Sequence, residues 1–261
     1  MTKTIVITGS TKGIGYGLAK EFLKRGHNVV VSGRNQERLD KAVETLSTTH
    51  KNVAGCLCDV TKFEDHEKLF AFATEKFGRV DIWINNAGIS LPRLMVWKQS
   101  HESADQIIAA NLTSAIYGSQ VAIKGMLAQG GGYVFNMEGH GSNGRFVPGL
   151  SVYGATKSGL TYFTKSLAKE TEGTPVKVCL LSPGMVNTDL LMVDYQNAPE
   201  KFEATKRILN ILVDNVKTVT PFLVEKILAE PKHGSQIAWL TTGKIMFRFM
   251  TSRFIKRKIF D

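Results

Sequence analysis

The chain has 261 residues, 43% of them hydrophobic, and a formal net charge of +10 at pH 7. That length suits one large domain or two small ones with a substantial core. No apolar run approaches the roughly 20 residues that span a bilayer, and three cysteines without His or Cys partners at ligand spacing argue against a metal site or a disulfide framework.

Met1-Thr2-Lys3 leads straight into the apolar run Thr4–Ile7. Neither a signal peptide nor an Arg- and Ser-rich transit segment is expected, and the protein is expected in the cytoplasm with Cys56, Cys58 and Cys179 as buried free thiols. The β-branched strand Thr4–Thr8 runs into Gly9-Ser10-Thr11-Lys12-Gly13-Ile14-Gly15, and a helical pattern follows to Lys24-Arg25. His27–Ser32 reads as a second strand, and Asn35 as the N-cap of a helix over Gln36–Leu46. The alternation continues with strand Val53–Cys58, helix Glu64–Phe77 and strand Val80–Ile84. A long helical stretch runs from His101 to Leu127, then strand Tyr133–Met137, helix Ser151–Glu170 and strand Val176–Leu181. The strands are apolar runs rather than alternating patterns. That is the mark of an α/β fold with one doubly wound, Rossmann-type parallel sheet covered by helices on both faces.

The first turn is a dinucleotide signal. A glycine loop between a strand and a helix presents backbone N–H groups where a pyrophosphate binds. Gly9, Thr11, Lys12, Gly13, Ile14 and Gly15 are its candidate contacts, though the spacing is Gly9-x-x-x-Gly13-x-Gly15 and not the commoner G-x-G-x-x-G. NAD binders usually carry an acid near the end of the second strand for the ribose 2′-OH. Here that end reads Ser32-Gly33-Arg34. Arg34, with Lys12, suits a 2′-phosphate instead, which favours NADPH.

Tyr153 and Lys157 lie four apart on a helix and hence on one face. A phenol beside an ammonium is a proton donor whose pKa the cation is expected to lower. That suits general acid–base work on a carbonyl or alcohol oxygen. Chance alone explains a Tyr-x-x-x-Lys in a chain with six tyrosines, so the context decides.

That context resembles the short-chain dehydrogenase/reductase family. Thr8-Gly9-x-x-x-Gly13-x-Gly15, Cys58-Asp59-Val60, Asn85-Asn86-Ala87-Gly88, Asn111, Tyr153-x-x-x-Lys157 and Ser182-Pro183-Gly184-x-x-x-Thr188 occur in the family's order and spacing, from about Thr4 to Leu191. The resemblance implies that Asp59 and Val60 hold the adenine, and that Asn86, Ala87 and Gly88 pass close to the cofactor ribose. It further implies that Pro183, Gly184, Val186 and Thr188 line the nicotinamide. Lys157 would bind the nicotinamide ribose and lower the Tyr153 pKa, and Asn111 would hold a water that relays protons to Lys157. A narrower resemblance is to chlorophyll b reductases. It rests on Ile7–Tyr16, Asp81-Ile82-Trp83-Ile84-Asn85-Asn86, the run Gly131–Arg145 with Phe135-Asn136-Met137-Glu138-Gly139, and Leu181–Met192. Such reductases use NADPH to turn the formyl group of chlorophyll b into a hydroxymethyl group.

One position departs from the family. A serine that hydrogen-bonds the substrate oxygen is expected about a dozen residues before the tyrosine, and here the chain reads Glu138-Gly139-His140-Gly141. Ser142 is the best substitute, with Glu138 and His140 as alternatives. The substrate side is apolar: Leu94, Met95, Val96 and Trp97 follow the Asn-Asn-Ala-Gly turn, and Met185, Leu190, Leu191 and Met192 fall where the family has a lid.

The expected division is a dinucleotide-binding domain over 1–240, with a lid at about 189–220, and a basic, apolar tail over 241–261. The lid is expected to include a helix over Pro199–Val216, and further helix and strand are expected at Pro221–Ala229 and Gln236–Leu240. In the tail Ile245, Met246, Phe247, Phe249 and Met250 project onto one face opposite Lys244 and Arg248. That pattern fits either a peripheral membrane contact or packing on the body or a neighbouring subunit. The favoured function is NADPH-dependent reduction of a carbonyl on a bulky lipophilic substrate, a chlorophyll b-type formyl group. The alternatives are a reductase of a lipophilic ketone (keto-lipid, steroid or retinoid) and a dinucleotide-binding sensor or scaffold without turnover. No nucleic-acid module is present, and the family analogy implies a homo-oligomer.

Overall fold

The computed structural model describes residues 1–195 and 199–260. The part of the expected lid at 196–198 and the last residue of the tail lie outside them. Strand β1 (Thr4–Ile7) leads into helix α1 (Gly13–Lys24), β2 (Asn28–Gly33), α2 (Gln36–Ser47), β3 (Val53–Leu57), α3 (Phe63–Phe77) and β4 (Ile82–Asn85). Then follow α4 (His101–Ile108), α5 (Ser114–Ala128), β5 (Gly132–Met137), α6 (Ser151–Glu170) and β6 (Val176–Ser182). The chain ends with β7 (Val186–Asn187), α7 (Asp189–Met192), α8 (Pro199–Leu212), β8 (Asp214–Asn215), α9 (Val216–Leu228), β9 (Gln236–Ala238) and α10 (Thr242–Thr251).

Seven strands pair in the order β3-β2-β1-β4-β5-β6-β9, every pair parallel. The side chains divide by strand period. Ile5, Ile7, Val29, Val31, Ile84 and Phe135 meet Leu18 and Phe22 of α1 and Leu223 and Ile227 of α9 on one face. Val6, Val30, Trp83, Val134 and Val178 meet Leu69 of α3 and Ala122 and Met126 of α5 on the other. The doubly wound arrangement is therefore as expected, and the strand order reverses between β1 and β4. Ligands of such sheets bind outside the carboxyl ends of the strands at that reversal.

Local signals account for several boundaries. The Asn35 side chain caps α2 by accepting from the Arg38 N–H at 2.9 Å, as its type predicts. The expected continuous helix His101–Leu127 is interrupted: residues 109–113 form a π-turn between α4 and α5. Hydrophobic spacing continues through such a bulge, so periodicity does not reveal it. Pro221 is expected to open a helix because it lacks an N–H. Instead α9 begins at Val216, and Pro221 falls inside it.

The tail departs most from expectation. Helix α10 turns its cations inward and its apolar residues outward. Arg248 and Arg257 both pair with Asp214, at 2.8 and 2.5 Å, and this carboxylate is 4% exposed. Arg248 also donates to the Leu212 carbonyl, and Arg257 to those of Ile211 and Val213. These two cations are thus structural and not part of a solvated basic run. Beyond α10, Ile259 and Phe260 pack with Tyr195, Leu209, Val213 and Phe202, joining the lid and the tail in one small core. Among the described residues no helix is long and apolar enough to cross a membrane.

Candidate active site

The glycine loop is shaped by close approach. Gly9 has φ +62°, a left-handed conformation, and a Cβ there would lie 2.9 Å from Ala87 Cα. A Cβ on Gly15 would lie 2.5 Å from Asn86 Nδ2. The Asn86 amide donates to the Thr8 and Gly9 carbonyls at 2.9 and 3.0 Å, and the N–H groups of Asn86 and Ala87 donate to Thr8 Oγ1. The loop after β1 and the turn after β4 therefore form one interlocked edge of a cleft. Behind that edge Ile14 packs into the core, and Thr11 lies against Gly33 at the end of β2. Helix α1 opens at Gly13 with no side-chain cap and no acid in its first turn, so its first N–H groups and positive end have no side-chain anion.

At the end of β2, Arg34 is exposed and has no carboxylate partner among the described residues. Lys12, expected to face the same ligand, instead pairs with Asp189 at 2.6 Å, with both side chains largely in solvent. Asp59 follows β3, and its carboxylate accepts from the N–H and hydroxyl of Thr61 at 3.1 and 2.8 Å. The neighbouring Val60 carbonyl sits 2.9 Å from the His66 ring.

Asn111 lies in the π-turn and is buried. Its side-chain oxygen accepts from the Ile89 N–H at 2.7 Å, and its amide donates to the Ile89 carbonyl at 2.9 Å. Both ends of the side chain are thereby engaged. A Cβ on Gly88 would lie 3.0 Å from the Asn111 oxygen and 3.8 Å from Lys157 Nζ, so these three residues converge. A buried polar chain sets the depth of this edge. Trp83 Nε1 donates to Asn85, Asn85 to Asn136, and Asn136 to Thr164 of α6, at 2.8, 2.8 and 2.9 Å.

Tyr153 and Lys157 occupy the first two turns of α6. Lys157 Nζ donates to the Met137 carbonyl at the end of β5, at 3.1 Å. A Cβ on Gly139 would lie 2.6 Å from the Tyr153 hydroxyl and 3.1 Å from Lys157 Cε. Gly139 thus borders the phenol where a side chain would displace it. Burial pushes the Tyr153 phenol up to about 12, contrary to the lowering expected from its cationic neighbour. Burial also drives the Lys157 ammonium down to about 8, and the Glu138 carboxylate opposes that fall. The environment disfavours both charged forms, and a neutral phenol is the form that can donate a proton.

Ser142 Oγ accepts from the Gly139 N–H at 3.2 Å and lies 3.4 Å from the Lys157 carbonyl, so it closes the loop onto α6. Glu138, an alternative to Ser142, does not face the substrate side as a free acid. It is buried, accepts from the Thr161 hydroxyl at 3.0 Å, and also accepts from Gln236 of β9. Partial burial lowers the pKa of His140, which is exposed only in part, and the nearby Arg93 and Arg145 add to that fall. The burial of Glu138 escapes sequence reasoning because its partners stand 23 and 98 positions away.

After β6, Pro183 and Gly184 lead to β7, with Gly184 against the Leu240 side chain. Val186 pairs with Asp214 of β8, and Thr188 Cγ2 would lie 3.6 Å from a Cβ on Gly13, which brings this segment back to the glycine loop. Met185, Leu191 and Met192 pack into the small lid core, whereas Leu190 stays exposed. Leu94, Met95, Val96 and Trp97 are exposed too, as is Phe146 of the β5–α6 loop, at 95%. Arg93 joins this rim to the lid. Its N–H donates to Asp194 at 2.8 Å, and its Nε lies 2.6 Å from the same carboxylate in an ion pair not aligned as a hydrogen bond.

Comparison with known proteins agrees with this geometry. The sequence profile described as "short chain dehydrogenase" matches residues 3–199. The chain is 39% identical over 263 residues to "Chlorophyll(ide) b reductase NOL, chloroplastic" of Arabidopsis thaliana, covering 98% of this chain and 72% of that protein. It is 36% identical over 277 residues to "Probable chlorophyll(ide) b reductase NYC1, chloroplastic" of the same plant, covering 99% of this chain but only 55% of that protein. Among solved structures, the closed form of a serine dehydrogenase complexed with NADP+ aligns with a TM-score of 0.78 at 26% identity, over 90% of this chain and 94% of that one. The chain belongs to the short-chain dehydrogenase/reductase family of oxidoreductases and, within it, resembles the chlorophyll(ide) b reductases.

Proposed function

We propose that the protein is an NADPH-dependent carbonyl reductase for a bulky, apolar substrate: the formyl group of chlorophyll b or chlorophyllide b, reduced to hydroxymethyl. The observation that carries this reading is the Tyr153 hydroxyl beside Gly139, with Lys157 anchored to Met137 at the carboxyl end of β5. The apolar rim of Leu94, Met95, Val96, Trp97 and Phe146 supports a large lipophilic substrate. The reductase activity named for the plant relatives supports the formyl group in particular.

The residues present fit a nicotinamide dinucleotide. The uncapped start of α1, with Gly9, Thr11, Lys12, Gly13, Ile14 and Gly15, would take the pyrophosphate. Asp59 and Val60 would flank the adenine, and Asn86, Ala87 and Gly88 a ribose. Pro183, Gly184, Val186 and Thr188 would line the nicotinamide. Arg34 stands where an acid would select NAD, which supports NADPH. Lys12 joins it by exchanging Asp189 for the 2′-phosphate, because an exposed ion pair is worth only about 0–1 kcal/mol. When bound, the cofactor supplies the hydride. Tyr153 protonates the carbonyl oxygen as negative charge develops on it. Lys157 stands behind the phenol as the next proton donor. With its side chain engaged by Ile89, Asn111 would serve the relay through its main-chain carbonyl. Ser142 would donate to the substrate oxygen by redirecting its hydroxyl from the Lys157 carbonyl while still accepting from the Gly139 N–H, which fixes Gly139 against the phenol.

The test is NADPH oxidation with chlorophyll b, chlorophyllide b and a panel of lipophilic ketones. Turnover of the two formyl substrates with a hydroxymethyl product supports the reading. Turnover of ketones alone would favour the broader lipophilic reductase, which the same rim serves. No turnover of any carbonyl with NADPH bound would leave a dinucleotide sensor.

A further inference from the structure

Helix α10 inverts the usual arrangement of an amphipathic helix, whose apolar face lies on the core. Its Lys244 Nζ lies over the Trp239 ring, 3.0 Å from the centroid, and Arg248 enters the body to meet Asp214. Met246, Phe247, Phe249 and Met250 are left outward, followed by Phe254 and Ile255; Met250 is 71% and Phe254 87% exposed. This surface is held rigidly. Thr241 caps the helix by accepting from the Lys244 N–H at 3.2 Å. At the far end, Asn210 of α8 accepts from the N–H groups of Ile259 and Phe260 at 2.8 and 2.9 Å. Frayed tails expose apolar residues by default, but this one is fastened at both ends with its apolar side away from the body.

The charges beside that side select a partner. Residues 241–260 hold six Lys and Arg and no Asp or Glu. Asp214 accounts for Arg248 and Arg257. Arg253, Lys256 and Lys258 remain exposed, and with Arg207 of α8 they border a cleft of about 460 Å³ between the tail and the lid helix. A second copy docked face to face would bring the same cations against one another. A free phosphate would suit the cleft but leave the apolar side chains in water. An anionic lipid surface answers both, with phosphate headgroups at the cations and acyl chains at the Phe and Met side chains.

We infer that α10 and residues 252–258 form a docking surface for an anionic lipid membrane, seated by Met246, Phe247, Met250, Phe254 and Ile255 and held by Arg253, Lys256 and Lys258. The surface lies on the molecule's outside, and its anchors reach the lid core through Ile259 and Phe260. Membrane seating and lid position therefore share one structural element.

The full chain should co-sediment with phosphatidylglycerol vesicles and far less with phosphatidylcholine vesicles. Met250→Glu with Phe254→Glu should lower the partition onto phosphatidylglycerol by at least tenfold. Lys256→Glu with Lys258→Glu should do likewise, since each cation near such a surface contributes about fivefold. These side chains are exposed, so both variants should keep the parent melting temperature, which a thermal scan checks. Failure to bind phosphatidylglycerol, or binding that neither pair of changes alters, would overturn the inference. So would full displacement from vesicles by millimolar glycerol phosphate at constant ionic strength, which marks a free-phosphate site. Dimers that the Met250→Glu, Phe254→Glu variant dissociates, in a chain that ignores vesicles, would assign the surface to a second copy.

Discussion

Two ionic clasps hold the lid, and they differ in kind. At the cofactor side, Lys12 of the glycine loop meets Asp189 at the lid's start, with side chains 59% and 71% exposed. At the lid's base, Asp214 is almost wholly buried between Arg248 and Arg257, whose guanidinium groups also donate to the carbonyls of residues 211–213. Water screens the first pair, so it can open and exchange partners with little change in energy. The second cluster has less freedom, because removing the carboxylate leaves two largely buried guanidinium groups with backbone carbonyls but no counter-charge. The same lid is thus loose where the cofactor would enter and fixed where the tail supports it.

The sharpest break of that contrast is Asp214→Ala. It should destabilise the fold by about 3–5 kcal/mol, measured by urea denaturation, as expected for a broken buried pair. A loss under 1 kcal/mol would mean that the base of the lid is no firmer than its mouth. On the cofactor side, Arg34→Ala should weaken NADPH by about tenfold or more, on the scale of a hydrogen bond to a charged group, and leave NADH nearly unchanged. Equal losses for both nucleotides, by fluorescence titration, would remove the 2′-phosphate assignment. Glu138→Gln sharpens the comparison inside the catalytic edge. Burial lowers Lys157 to about 8 and Glu138 raises it, so without that carboxylate the lysine should lose its proton at lower pH. The alkaline fall in the reduction rate should move to lower pH while NADPH affinity at pH 6 is kept. An unmoved profile would mean that Glu138 serves only its bonds to Thr161 and Gln236. The smallest effect belongs to Asp189→Asn, which should change stability by less than about 1 kcal/mol.

Legibility in the sequence follows the range of the interactions. The parallel sheet was readable because each strand is a local apolar run, and the cleft edges because each motif is a few residues long. Gly9 meets the Asn86-Ala87 turn, and Gly88 meets Asn111 and Lys157. The π-turn at Asn111 was invisible, since the apolar spacing from His101 to Leu127 continues through it. The burial of Glu138 was not readable because it depends on Thr161 and on Gln236 of a distant strand. Arg248 looked like the polar face of a tail helix because nothing near it announces Asp214, which lies 34 positions earlier. One neighbour's charge predicts a lowered Tyr153 pKa, and burial instead raises it.

Reduction itself rests on one proton donor. The direct test measures NADPH-dependent conversion of chlorophyll b to its hydroxymethyl product by the intact chain and by Tyr153→Phe, with NADPH binding followed in parallel. The variant should bind NADPH as the parent does and lose about 10²–10⁴-fold in rate, the usual contribution of a positioned general acid. Unchanged turnover in Tyr153→Phe would contradict the assignment of Tyr153 as the acid, and no product from the intact chain would contradict the formyl substrate.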